Sequence, residues 1–341
     1  MLQIGPYSLS SNIILAPMAG VTDAPYRQVC HQFGAGLTPA EMITSDPSLR
    51  QSKKTQQRLL QNTDASPRSV QIVGTEPHIM AQAAQFNADL GADIIDINMG
   101  CPAKKVCNKL AGSALMQDPD LAKKILTHVV SSVDIPVTLK MRTGWAENKK
   151  NAIHIAKIAE DSGIACIAIH GRTRNQAYTG FAEYETIRQV KQSVTIPIIA
   201  NGDILTPEDA NFVLAYTQVD ALMLGRITQG QPWIFQTFNR ALSSTETPLN
   251  KPQNTASEIT YELKKITILT HISAIHRHYG TDQGVRIARK HIGWYLFKLL
   301  GHKTSLLKRL KQEIFMISDA DLQHQYLEKT LQNLDLSSDK T

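Results

Sequence analysis

The feature that most constrains the fold of this chain is an eightfold alternation of short apolar runs with helix-like stretches. The runs are apolar almost throughout, which is typical of parallel strands covered on both faces. Capping residues precede prolines at Asp118-Pro119 and Thr206-Pro207, where we expect helices to begin. Eight such units in roughly 240 residues predict an α/β fold, a (β/α)8 or TIM barrel. The candidate strands are Ile13–Met18, Leu37–Met42, Ser69–Val73, Ile94–Asn98, Pro136–Lys140, Ile164–His170, Ile196–Asn201 and Ala221–Gly225.

The chain changes character after the predicted barrel domain, which we place at residues 1–240. Residues 241–258 are rich in Ser, Thr, Pro and Asn, a composition typical of a linker. Residues 259–335 show helical spacing, which predicts a small all-helical C-terminal domain. We expect residues 336–341 to form a tail.

Composition narrows the class of protein. Hydrophobic residues make up 42% and charged residues 19% of the chain, as in ordinary soluble globular proteins. The N-terminus shows no signal peptide, and no apolar run approaches the roughly 18 residues of a membrane span. The four cysteines have neither a disulfide framework nor zinc-ligand spacing. We therefore expect a cytoplasmic protein with no membrane segment and no metal; the cysteines are Cys30, Cys101, Cys107 and Cys166.

The positive charge is concentrated near the C-terminus. Between positions 259 and 311 there are eleven Lys and Arg against two acidic residues, whereas the rest of the chain carries 25 basic and 28 acidic residues. Arg286, Arg289 and Lys290 share one helical face or its flank. A solvated face would mix both signs, so this excess favours a nucleic-acid surface. Trp294 and Tyr295 could stack on bases, but we favour a place for them in the helical core.

Polar residues end most of the predicted strands, and in a barrel these ends form one rim where active sites lie. Asn201-Gly202-Asp203 follows strand seven and Gly225-Arg226 follows strand eight, the usual phosphate position of this fold. Lys140 could form a Schiff base, pair with an anion or stabilise a reduced cofactor. His170 could be an acid, a hydrogen-bond donor or a core histidine.

Cys101 occupies the most informative stretch of the chain. It follows an apolar strand within Gly100-Cys101-Pro102, a turn sequence that would present the thiol to a substrate. Lys104 and Lys105 make the turn electropositive. The alternative is a small buried hydrophobic residue, the usual fate of a free cysteine. Cys107, six residues later, is either a bystander or a partner that traps Cys101 in a disulfide under oxidation.

Several motifs together resemble the tRNA-dihydrouridine synthases. The resemblance runs from about Ile4 to Trp294 and is most similar to the bacterial B subgroup, through Pro102–Val106 and Arg286–Tyr295. The motifs are Ala16–Asp23, Gln71-Ile72, Asp96–Pro102, Leu139–Trp145, Ile169–Thr173 and Ala200–Ile204.

The resemblance implies that a D-loop uridine of tRNA is reduced to 5,6-dihydrouridine by FMN, which NADPH or NADH reduces in turn. Cys101 would give the proton to C5 after hydride addition at C6, and Lys140 would favour the anionic reduced ring. We expect the protein to be a monomer. The FMN-binding residues would be Pro17, Met18, Ala19, Gln71, Lys140, His170, Asn201, Gly202, Asp203, Gly225 and Arg226. The tRNA-binding residues would be Asn98, Lys104, Lys105, Arg142, Arg172, Arg286, Arg289 and Lys290.

Three other functions remain open from the residues themselves. An FMN barrel could reduce a free pyrimidine or another small molecule, although such a substrate needs no basic helical domain. A lyase could use Lys140 as a Schiff-base amine. A non-catalytic RNA-binding protein would tolerate the loss of Cys101.

Overall fold

The computed structural model describes residues 1–59, 65–108, 110–243, 259–301 and 303–338. Two compact units divide the chain: Met1–Ile227 with Phe235–Leu242, and Thr228–Ile234 with the described residues from Ser243 onward. Of the predicted linker, residues 244–258 lie outside the described residues, as do residues 339–341 of the predicted tail. The described parts of both segments, 241–243 and 336–338, are helical.

The first unit is built on eight parallel strands, which confirms the predicted barrel. Their spatial order is β3-β10-β9-β8-β7-β6-β5-β4, and β1 and β2 form a separate antiparallel hairpin. The strands are β1 Gln3–Ile4, β2 Tyr7–Ser8, β3 Ile13–Leu15, β4 Ile43–Thr44, β5 Ser69–Val73, β6 Ile94–Met99, β7 Val137–Arg142, β8 Cys166–His170, β9 Ile198–Asn201 and β10 Ala221–Leu224.

Helices follow most of these strands and begin where the capping signals predict. Asp118 accepts a hydrogen bond from the Leu121 N–H, and Thr206 forms a capping box with Asp209. The helices of this part of the chain are α1 Ala24–Gln32, α2 Lys53–Gln56, α3 Pro77–Asp89, α4 Lys104–Cys107, α5 Pro119–Val130, α6 Ala152–Asp161, α7 Glu185–Ser193, α8 Pro207–Thr217 and α9 Ile234–Ser243.

The barrel closes through a segment that is not a regular strand. Leu37 forms a parallel bridge with Ile14, and the Ala40 N–H donates to the Ser69 carbonyl of β5. The predicted second strand, Leu37–Met42, is therefore wrong in extent: regular pairing begins only at β4. Pro39 interrupts the ladder because proline has no N–H to donate.

The N-terminal hairpin packs on the amino ends of the strands. Leu2, Ile4 and Leu9 are each at most 2% exposed and belong to one apolar cluster with residues of β3, β6, β8, β9 and β10. Gly5, at φ +55°, lets the hairpin turn approach Pro136, because a Cβ there would lie 2.5 Å from the proline ring. Burial of each leucine or isoleucine contributes about 1.5–3 kcal/mol. The hairpin thus packs on the amino ends of the strands, and the candidate site lies at their opposite, polar carboxyl ends.

The second unit is helical, as predicted. Thr260 caps α10 through the Leu263 N–H. Gly284 allows α10 and α11 to pack closely, since a Cβ there would lie 2.8 Å from His276 Cα. Tyr295 is 1% exposed and bonds to the buried His271 ring at 2.9 Å, which confirms its place in the core. The helices are α10 Tyr261–Tyr279, α11 Thr281–Leu300, α12 Thr304–Met316 and α13 Ala320–Ser338.

None of the helices in the described part of the chain combines the length and the apolar character that a bilayer crossing needs.

Candidate active site

Polar side chains at the strand ends of the first unit meet across neighbouring strands. Asn98 on β6 pairs in register with Lys140 on β7. His170 on β8 pairs with Asn201 on β9. The Lys140 ammonium donates to Asn201 Oδ1 at 3.4 Å, which spans β8. The structure therefore brings these four predicted residues together at the carboxyl ends of the strands.

A chain of hydrogen bonds connects four side chains of β5, β6 and β7. Gln71 Nε2 donates to Asp96 Oδ2 at 2.6 Å, and Thr138 Oγ1 donates to Asp96 Oδ1 at 2.7 Å. Asn98 Nδ2 donates to Gln71 Oε1 at 2.7 Å. Asp96 is 6% exposed, and burial raises the pKa of its carboxyl, against the opposing effect of the Gln71 and Thr138 hydrogen bonds. The chain of bonds thus ends on a buried carboxyl group.

Cys101 follows β6 in a turn whose backbone is fixed on both sides. The N–H groups of Gly100 and Cys101 donate to Asn98 Oδ1 at 3.1 and 2.9 Å. The Cys101 carbonyl accepts from the Ser113 N–H at 3.1 Å and from its hydroxyl at 2.9 Å. Gly112, at φ +61°, permits this approach, because a Cβ there would lie 2.8 Å from the Cys101 carbonyl oxygen. The thiol is therefore presented by a well-braced turn.

The Cys101 thiol differs from the other three cysteines in being only partly buried; all four are free. Burial raises its pKa, and the charges of Arg142 and Lys105 oppose this shift. A thiol whose pKa lies above its usual value keeps its proton at neutral pH, as a general acid must. Cys107 is buried, and its thiol donates to the Cys101 carbonyl at 3.4 Å. Cys107 thus braces the turn in the reduced protein.

Lys140 and His170 have strongly altered acid–base properties. Burial, followed by the nearby Arg142 charge, lowers the pKa of Lys140 to about 8. Burial also lowers the pKa of His170 to about 2, and the charge of Lys140 contributes next. The low pKa favours a neutral His170 ring at physiological pH over an imidazolium acid. The ring stays available as a hydrogen-bonding group, and its Nε2 lies 3.3 Å from Arg172 Nη1.

Asp203 organises the ends of β9 and β10. Its Oδ2 accepts from Arg172 Nη2 at 2.6 Å and from the Ala182 N–H at 2.8 Å, and its Oδ1 accepts from Arg226 Nη2 at 3.4 Å. Its backbone adopts φ +47°, a left-handed conformation that aspartate tolerates better than most residues. Arg226 is 57% exposed, so its guanidinium keeps donors for an anion. The Asp203 carboxylate would repel that anion and acts instead by orienting the arginine.

The loop after β3 carries Pro17, Met18 and Ala19 and is fixed by two residues that were not among the predicted site residues. The Met18 N–H donates to Thr22 Oγ1 at 2.9 Å. The Gly20 N–H donates to Glu41 Oε2 at 2.8 Å, and Glu41 is only 3% exposed. Gly225 adjoins this loop, since a Cβ there would lie 3.7 Å from Ala16 Cβ and 3.9 Å from Met18 Sδ.

Arg142 and Arg172, which the sequence predicted to contact RNA, are buried inside the first unit. Each is 2% exposed. Arg142 donates to the carbonyls of Gly100 at 2.7 Å and of Thr173 and Ala177 at 2.9 Å. Arg172 donates to the carbonyls of Thr179 and Gly180 in addition to Asp203. Because both guanidinium groups are buried and bonded to carbonyl or carboxylate oxygens, neither is placed to bind phosphate. Both instead support the site from inside the unit.

The remaining predicted RNA contacts differ in exposure. Lys104 and Lys105 are exposed beside the Cys101 turn, and Arg286 is exposed on α11. Arg289 and Lys290 are partly buried. Arg289 Nη2 donates to the Ile317 carbonyl at the end of α12 at 3.1 Å. Part of that guanidinium therefore stabilises the helical unit.

One aromatic side chain at the site gave no signal in the sequence. Tyr178, in the loop between β8 and α7, is 58% exposed. Its ring centroid lies 5.7 Å from the Arg142 guanidinium carbon and 5.4 Å from that of Arg226.

Within the described residues, no group of three or more His, Cys, Asp or Glu is placed to hold a metal ion.

Comparison with known proteins identifies the family. The family model described as "Dihydrouridine synthase (Dus)" matches residues 14–335. The chain is 50% identical over 323 residues to tRNA-dihydrouridine synthase B of Pseudomonas aeruginosa strain PAO1, covering 95% of this chain and 93% of that protein. It is 52% identical over 312 residues to the protein of the same name from Pseudomonas syringae pv. tomato, covering 91% and 90%. The corresponding Vibrio vulnificus protein is 53% identical over 295 residues, covering 86% and 89%. These matches confirm the resemblance of the motifs, and the chain belongs to the dihydrouridine synthase family.

Proposed function

We propose that this protein reduces a uridine in the D-loop of tRNA to 5,6-dihydrouridine. Membership of the family and the names of the relatives support this reaction. The observation that carries it is the Cys101 thiol, which is partly accessible, braced at a strand end and raised in pKa by burial. A substrate that needs one proton at a fixed position suits such a group.

The chemistry assigns a clear task to the chain's own residues. The C5=C6 bond of uracil is conjugated with the C4 carbonyl, so a hydride adds at C6 and a proton is required at C5. When bound, FMN supplies the hydride after reduction by NADPH. Cys101 delivers the proton, and the Asn98 and Ser113 hydrogen bonds fix the backbone from which its thiol reaches the base. The target base must leave its stack to enter the site.

The polar residues of the site fit FMN. Among the described residues, the hydrogen bond to Asn201 is the only one that the Lys140 ammonium makes, which leaves donors for an anionic reduced ring. Arg226 offers an exposed guanidinium beside the glycines of the phosphate position. The positive charges of Lys140, Arg142, Arg172 and Arg226 all act on His170, so the interior favours an anionic ligand. We assign FMN binding to Pro17, Met18, Ala19, Gln71, Lys140, His170, Asn201, Gly202, Gly225 and Arg226, with Asp203 contributing through its hold on Arg226.

We assign direct tRNA contacts to the exposed basic residues. Lys104 and Lys105 flank the Cys101 turn, and Arg286 lies on α11 of the helical unit. Asn98 faces the same strand ends as Lys140, where the uracil would bind. Arg289 and Lys290 are assigned weaker contacts because both are partly buried. We further propose that the protein acts as a monomer in the cytoplasm, where tRNA is modified.

Mass spectrometry of the RNA product tests the proposal. A tRNA free of dihydrouridine is incubated with the protein, FMN and NADPH, and its D-loop fragments are weighed. We expect a gain of two hydrogens on one fragment, which also identifies the uridine. NADPH consumption without this gain would overturn the assignment of tRNA, and reduction of free uridine would point to a small-molecule oxidoreductase. Borohydride trapping of a carbonyl substrate on Lys140 would instead show a lyase.

A further inference from the structure

Asp96 is a buried acidic residue that the proposed reaction does not use. It lies on β6 two residues before Asn98, so both side chains point to the same face of the strand. Its partners in register are Gln71 on β5 and Thr138 on β7. Its two carboxylate oxygens accept one hydrogen bond from each of these partners. These two bonds explain how the carboxyl group is accommodated in the barrel core, but not why an acidic residue is buried there.

The direction of these hydrogen bonds is set at Asp96. Both Asp96 oxygens accept hydrogen bonds, one from the Thr138 hydroxyl and one from the NH2 group of Gln71, which is therefore turned toward Asp96. The Gln71 carbonyl oxygen then faces Asn98, which must in turn present its own NH2 group. That leaves Asn98 Oδ1 to accept from the N–H groups of Gly100 and Cys101. The two backbone N–H groups require the same orientation of Asn98, so the carboxylate at one end and the turn at the other agree on the direction of both amides.

We propose that Asp96 is a positioning residue for Cys101, which it holds through the amide groups of Gln71 and Asn98. Without the carboxylate, only the two backbone N–H groups hold the amides in this orientation, and each turn of Asn98 by 180° places its NH2 group against those N–H groups. That arrangement places donors against donors and releases the turn. The hydrogen bonds of Asp96 go to Gln71 and Thr138, so it acts through its neighbours.

Amide hydrogen exchange at Gly100 and Cys101 tests the proposal directly. The measurement uses the full-length flavoprotein and mass spectrometry that resolves these two amides. Asp96→Asn keeps the shape of the side chain but also offers a donor, so it no longer selects one orientation. We expect exchange at both amides to become about ten-fold faster, as for the loss of one hydrogen bond. Unchanged exchange would overturn the proposal.

A second substitution separates orientation from general loosening. A carboxylate at position 98 accepts from the Cys101 N–H in either orientation. The double variant Asp96→Asn, Asn98→Asp should therefore recover the slow exchange of the original protein. Failure of this rescue would show that Asp96 acts on the fold as a whole. If Asp96→Asn lowers the yield of folded protein, Gln71→Met interrupts the same path, and at matched flavin content it must give the same fast exchange and the same rescue.

Asp220→Asn is the matched control. Asp220 is a partly buried barrel carboxylate that accepts from the Ile198 N–H and from Lys191, away from the Cys101 turn. Its loss should leave the Gly100 and Cys101 amides unchanged.

Turnover on tRNA gives a separate readout that rests on the proposed function. Asp96→Asn should lower kcat, and this loss should disappear in a Cys101→Ala background. An equal fold-loss in that background would contradict action through Cys101. The exchange data need no substrate, so they stand even if the reaction proves different.

Discussion

At Cys101, the direction of the pKa shift bears on the proposed role of the side chain. Burial raises the pKa of the thiol, which supports a proton donor at neutral pH rather than a nucleophile. We expect Cys101→Ala to lower turnover by about 10²–10⁴-fold, as for other general acids. Flavin content and tRNA affinity should be unchanged; dihydrouridine formation is followed by mass spectrometry. Near-normal turnover would remove Cys101 from this role, and Cys107→Ser, which keeps a donor to the Cys101 carbonyl, serves as control.

The lowered pKa of Lys140 predicts a loss of activity at alkaline pH. Its pKa is lowered to about 8, so it is charged below that pH and loses its proton as the pH rises through it. We expect kcat to fall above about pH 8, or somewhat higher when an anion beside Lys140 stabilises its charge. Lys140→Arg should abolish this limb, because arginine stays protonated throughout the range. A profile from pH 6 to 10 that is the same in both proteins would contradict the assignment.

The residues that touch the site could be predicted from the sequence, whereas those that support it could not. Asn98, Lys140, His170 and Asn201 end apolar strands, and the fold alone brings such ends together. Asp96 lies in the middle of a strand, and only the register with Gln71 and Thr138 gives it partners. Position 96 shares a face with position 98, so the alternation of strand side chains was the available signal.

At the scale of single elements, Gly112 connects a backbone conformation to catalysis. Its φ of +61° disfavours other residues, and a Cβ would lie 2.8 Å from the Cys101 carbonyl oxygen. We expect Gly112→Ala to displace the turn and lower kcat about ten-fold, which corresponds to about 1.4 kcal/mol in the barrier. Steady-state kinetics at saturating tRNA measure it.

Gly163→Ala provides the comparison for this substitution. Gly163 also has a positive φ, +87°, but a Cβ there meets only the Val130 side chain at 3.1 Å. It should lower the denaturation midpoint without changing kcat. An equal loss of kcat in both variants would mean that backbone strain alone explains the effect.

Elements with strong local signals were predictable, and those set by distant pairing were not. The prediction for β5 matches Ser69–Val73 in full because an apolar run is bounded by turn residues. The second strand differs because Pro39 breaks the ladder and pairing resumes at Ile43–Thr44. Its true extent depends on which N–H groups can reach β3 and β5, a property of the closed barrel.

On the scale of the whole molecule, the helical unit is expected to provide the salt-dependent part of tRNA binding. Arg286 is exposed on α11, so Arg286→Ala should reduce the salt slope of tRNA affinity by about 1 with the denaturation midpoint unchanged. Arg289→Ala removes a hydrogen bond to the Ile317 carbonyl and should cost about 1 kcal/mol of stability. Binding titrations at several salt concentrations and denaturation curves distinguish the two. A salt slope unaffected by Arg286→Ala would show that this side chain does not contact phosphate.

Arg142 ties two loops into a single mechanical body. Its guanidinium holds the Gly100 carbonyl of the Cys101 turn and the Thr173 and Ala177 carbonyls of the loop after β8. If either loop moves and takes the guanidinium with it, the hydrogen bonds from Arg142 to the other loop break. Redesign of the site for a bulkier base would therefore have to move both loops as one piece, or replace this arginine and anchor each loop anew.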